Sequence, residues 1–106
     1  MKYIKQFENI SKDPKVGDYV ICEEGNPELK EFIENNIGQI CRIYTEKYNP
    51  IYPKYYIKYD NIPDDLKGFS ILNGIKVRII FSHNILFYSN SIEELELKIS
   101  ANKYNL

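Results

Sequence analysis

Between residues 15 and 88 the apolar side chains come in five short runs, none longer than eight residues, each stopped by a cluster holding Gly, Pro, Asn or Asp. Runs of that length, rich in Val, Ile and Tyr, suit β-strands and are too short to make a chain of long helices. Antiparallel strands this short expose many edges, and a small sheet escapes that by bending toward a barrel. The fold expected is therefore all-β.

The runs place five strands. Lys15–Cys22 is the first, entered through a Gly17-Asp18 turn that delivers Val20 and Cys22 to one face. Ile37–Tyr44 is the second, with Gly38 marking a bend or a close backbone approach. Tyr55–Asp60, Lys76–Phe81 and Asn84–Tyr88 follow, the last two parted by a tight turn or bulge at Ser82-His83-Asn84. Thr45–Lys54 reads as a loop or hairpin tip, because Pro50 and Pro53 cannot donate to a central ladder. The chain from Gly68 to Asn73-Gly74 reads as a loop as well. Helical signals are confined to three places. Asn26 can cap a short helix that Pro27 opens, with Leu29, Phe32 and Ile33 on one stripe. Pro63-Asp64-Asp65-Leu66 fits one helical turn, and Ser91-Ile92-Glu93-Glu94 has capping-box spacing ahead of the stripe Ile92, Leu95 and Ile99.

The opening Val16-Gly17-Asp18-Tyr19-Val20, then Ile37-Gly38-Gln39-Ile40-Cys41-Arg42-Ile43 and Tyr55-Tyr56-Ile57-Lys58-Tyr59, resembles SH3-like barrels of the KOW and Tudor type. With Asp60 to Leu66 and the late Ser-Ile-Glu-Glu-Leu helix, the chain from about residue 15 to about 100 is similar to small barrel proteins encoded by phages, prophages and other AT-rich genomes. The resemblance implies an SH3-like five-stranded barrel with a short helix inserted between the first two strands and a C-terminal helix. It implies one domain over residues 1–106, its barrel core at about 15–90 and its last helix at about 91–100. It further implies a non-enzymatic module that binds a protein or nucleoprotein partner, in the manner of phage inhibitors of host-defence complexes (anti-CRISPR-like). Direct nucleic-acid binding is the alternative, and a small metal-dependent enzyme the third.

Charge and composition narrow the partners. A formal net charge of −1 leaves no global field toward nucleic acid or anionic lipid, so such affinity must come from a local patch. No run approaches the ~18 apolar residues that cross a bilayer, and Met1-Lys2-Tyr3-Ile4-Lys5-Gln6 lacks a signal peptide's apolar centre. The expectation is a cytoplasmic protein, monomeric alone, with no membrane partner. Cys22 and Cys41 sit in separate strand-like runs and are expected reduced.

Two stretches could carry recognition. Tyr44, Tyr48, Tyr52 and Tyr56 interleave with Lys47, Lys54 and Lys58, a pattern that can stack on bases and meet phosphates, or anchor a protein contact. Tyr55 and Tyr59 share a face with Ile57 and read as core. Lys, Ile, Asn and Tyr are all abundant here, as AT-rich codons impose, so part of the tyrosine excess needs no function. The insertion between the first two strands carries Glu23, Glu24, Glu28, Glu31 and Glu34 against Lys30, and KOW domains are basic in their loops. That turns the expectation toward a protein partner, with Glu28, Glu31 and Glu34 meeting its basic groups.

Catalytic chemistry finds little to build on. His83 is the sole histidine and falls in a turn, and with Cys22 and Cys41 it makes too few ligands for structural zinc. Asp60, Asp64 and Asp65 could hold a hard cation, but turn and capping duty explains them equally well. No cofactor is expected.

Overall fold

In the computed structural model the protein is described over residues 13–46 and 49–104, the side chains of 46, 49–52 and 102–104 apart. The N-terminal hexapeptide, Lys47 and Tyr48 lie outside the described residues, and Tyr52 is described in its backbone only. The architecture is one antiparallel sheet of six strands with two helices. The strands are β1 (Tyr19–Cys22), β2 (Gly38–Glu46), β3 (Asn49–Lys58), β4 (Ser70–Leu72), β5 (Ile75–Phe81) and β6 (Ile85–Ser89). Helix α1 (Pro27–Glu34) lies between β1 and β2, and α2 (Ile92–Tyr104) ends the described chain. Spatial order is β4-β5-β3-β2-β1-β6, so the last strand returns to pair with the first. β4 and β6 form the two edges, and the sheet is not closed into a barrel.

The entry turn is as the sequence implied. Gly17 takes φ +98°, and Asp18, buried, accepts the Lys15 N–H at Oδ2 while its own N–H donates to the Lys15 carbonyl. Asn26 caps α1 by accepting the Glu28 N–H at 3.0 Å, and Pro27 opens the helix. Leu29 and Ile33 are fully buried on the stripe that the spacing predicted.

Three local expectations needed correction. First, Pro50 and Pro53 are inside β3 rather than in a loop. They are tolerated because β3 pairs with β5 only from Lys54 onward, and because the β2–β3 register slips between Tyr44 and Glu46. Second, the Gly68–Gly74 loop contains the short strand β4, so the sheet has six strands and not five. Asn73 (φ 51°) and Gly74 (φ 82°) make the left-handed pair of a two-residue hairpin into β5. Third, the capping box at α2 is relayed. The Glu94 carboxylate accepts from the Ser89 hydroxyl, and Ser89 in turn accepts the Ser91 N–H. Pro63–Leu66 makes the single turn expected of it, closed by the Leu66 N–H on the Pro63 carbonyl.

The core lies on one face of the sheet, under α1. Val20, Cys22, Ile40, Tyr55, Ile57, Tyr59 and Ile80 meet Leu29 and Ile33, and Phe32 packs edge-on to both Tyr59 and Phe69. On the other face α2 lies against β6 and β1, and Lys98 Nζ sits 4.4 Å over the Phe87 ring. No helix among the described residues is long and apolar enough to cross a membrane.

Candidate binding surface

The face of the sheet opposite the core is where four of the sequence-predicted residues, Tyr44, Lys54, Tyr56 and Lys58, meet. A bulge at Cys41, whose thiol donates to the Tyr56 carbonyl, sets Ile40 and Ile43 toward the core and turns Arg42 and Tyr44 outward. Cross-strand register then makes three rows over β2, β3 and β5: Tyr44–Lys54–Phe81, Arg42–Tyr56–Ile79 and Gln39–Lys58–Val77. Rows two residues apart on a strand are ~7 Å apart and neighbours within a row ~5 Å. Each row carries one cation. None carries a carboxylate.

Exposure divides this surface. Tyr44, Ile79 and Phe81 remain 43%, 37% and 38% exposed, Arg42 is exposed, and Tyr56, Lys54 and Lys58 are half-buried. Val77 closes the third row as a fully buried residue. Toward β4 the same face continues through Leu72 and Ile75, register partners of which Ile75 is exposed. Four expected contact residues, Tyr44, Lys54, Tyr56 and Lys58, are thus brought together. Arg42, Ile79 and Phe81 join them without having been foreseen. Their signal was alternation, since in a strand with Ile80 inward, Ile79 and Phe81 must point out.

The acidic insertion is dispersed by the fold. Glu24 is buried and forms a bidentate pair with Arg78 of β5, Nε to Oε1 at 2.9 Å and an Nη to Oε2 at 2.6 Å. It also accepts the Asn26 N–H, while Arg78 donates its other Nη to the Gly68 carbonyl. Burial pushes the Glu24 carboxyl up, but the Arg78 and backbone hydrogen bonds and the Arg78 charge outweigh it and hold the pKa below the usual value. Glu34 accepts the Glu24 N–H and pairs with Lys30 at 2.8 Å, which lowers its pKa and raises that of Lys30. Glu23, Glu28 and Glu31 stay exposed, the last two on α1, which packs on the core face through Leu29 and Ile33.

Reactive groups are not assembled into a site. Burial pushes the Cys22 thiol up to about 12, so it is not a thiolate nucleophile near neutral pH. Beside it the Tyr59 hydroxyl, raised mainly by burial, has no hydrogen-bond partner among the described residues. Asp60, Asp64 and Asp65 are exposed on turns, and no three potential ligands cluster among the described residues. An open cleft of about 520 Å³ lies between the end of α1, the Asp60-Asn61 turn and α2, floored by Ile37, Ile92 and Ile99. No protein-family model matches the chain, and neither a curated protein nor a solved structure does.

Proposed function

We propose that this protein is a non-enzymatic, cytoplasmic binding domain that holds single-stranded nucleic acid across the open face of β2, β3 and β5. The observation that carries the reading is the three cross-strand rows, in which Arg42, Lys54 and Lys58 interleave with Tyr44, Tyr56 and Phe81 and no carboxylate intervenes. Aromatic faces accept any base by stacking, and cations between them meet the backbone. We read the sheet as an SH3-like barrel opened out, a reading supported by the return of β6 to β1 and by the bulges that coil β1, β2 and β3.

Three phosphate contacts on a single strand predict a slope of log K against log salt of about −2, so affinity for oligothymidylate should fall roughly twentyfold between about 50 and 200 mM salt. Tyr56→Ala should weaken binding about tenfold through one lost stack. Fluorescence anisotropy of the labelled strand measures both. No binding at low salt, or binding indifferent to salt, sinks the reading.

A second reading, a phage-type inhibitor docking on a basic protein, is favoured by the exposed Glu28 and Glu31 on α1, which have no ion pair among the described residues. Under it, Glu28→Lys with Glu31→Lys abolishes capture of that protein. Under the first, the same pair of changes leaves oligonucleotide affinity unchanged or raises it.

A further inference from the structure

Phe81 ends β5, and His83 lies in the 3-10 turn Ser82–Asn84 that follows it. Their rings stack, nearly parallel at 10° with centroids 6.1 Å apart. This arrangement is not core packing. Phe81 is 38% exposed, His83 is exposed, and neither belongs to the hydrophobic cluster beneath the sheet. Two stacked rings at the surface bury little, yet the pair leaves an aromatic face on which a further flat ring can stack, a shelf with imidazole nitrogens at its rim. Register fixes where the shelf stands. Phe81 is the direct partner of Lys54, itself opposite Tyr44, so a cation and a second aromatic flank it along one row.

We infer that the Phe81–His83 pair is a nucleobase-binding position that takes one unpaired base of the bound strand, with Lys54 placed for the adjoining phosphate. The inference rests on the nucleic-acid reading above and adds to it a residue, His83, that lies outside the three rows. A base already stacked inside a duplex cannot reach such a shelf without leaving its neighbours, so the position selects single strands.

The test uses the full chain and oligothymidylates carrying one 2-aminopurine, moved along the strand. Wild-type protein should quench the probe strongly at one position or more. Phe81→Leu should lose about tenfold in affinity and His83→Ala about fivefold, each with loss of that quenching, while His83→Phe, which keeps a stacked ring, should restore both. The duplex of the same strand with oligodeoxyadenylate should bind at least about tenfold more weakly than the single strand. If wild type binds the strand but both Phe81→Leu and His83→Ala quench and bind as it does, the shelf is overturned and the wider surface stands. Equal affinity for duplex overturns the selection of single strands. Failure of wild type to bind at all removes both readings. His83 is exposed in a turn, so His83→Ala decides the matter if Phe81→Leu melts early.

Discussion

Arg78→Met should lower stability by about 2–3 kcal/mol and the melting temperature by roughly 10–15 °C in thermal unfolding. The reason is what the change leaves behind. Glu24 is buried, and with the guanidinium gone its carboxylate would keep the backbone N–H groups of Asn26 and Gly25 but no counter-ion. A carboxylate taken from water and left without its counter-ion costs more than the pair contributes when intact. The value sits at the low end of the range for buried pairs because the Arg78 side chain is itself 25% exposed. Glu24→Leu combined with Arg78→Met should therefore be less damaged than Arg78→Met alone. The sign of the pH dependence follows from the lowered Glu24 pKa. Its contribution is complete above the unfolded carboxylate value of about 4.3 and is lost as pH falls through the lower folded value. The gap between wild type and Arg78→Met should thus narrow below about pH 4. A double mutant no better than Arg78→Met, or a gap constant in pH, would show that the pair does not hold the α1 loop to β5.

Gly38→Ala should cost about 3 kcal/mol, through overpacking and not through loss of any contact. A Cβ at this position would stand 2.3 Å from Ile57 Cγ2 and 2.8 Å from Tyr59 Cζ. Both neighbours are core side chains without room to retreat, Ile57 being fully buried and Tyr59 wedged against Phe32. Gly25→Ala is the matched control, since nothing lies within 4 Å of its Cβ and its φ is not left-handed. That change should be neutral or slightly stabilising. Urea unfolding of the two variants side by side checks the pair, and equal midpoints would remove the close approach as a constraint on the fold.

The strands with β-branched runs and the two helices were legible in the residues because each had a local cause. Asn26-Pro27 could only begin a helix, and Tyr55, Ile57 and Tyr59 could only share a face. What escaped was decided by register. Ile40 and Ile43 stand three apart in one strand, and both can face the core only if a residue between them is extra. That spacing announces the Cys41 bulge, and the outward turn of Arg42 and Tyr44 follows from it. Asn73-Gly74 between apolar residues is likewise a hairpin signal, read as loop because the strand before it has three residues. Pro50 and Pro53 misled for a different reason. Proline forbids a ladder only where a neighbour waits for its N–H, and β5 stops short of them. The acidic insertion misled most. Its five carboxylates look alike in sequence, yet Glu24 is committed to a guanidinium 54 positions away, a partnership no local pattern encodes.

The sheet keeps the exposed carboxylates of α1 on one side and the cations Arg42, Lys54 and Lys58 on the other. The cationic rows share their face with α2, whose Glu93, Glu94 and Glu96 are exposed, so the attraction of a polyanion is local to the rows and not a property of the whole side. Added salt would therefore weaken the grip at short range, once the screening length drops below about 10 Å.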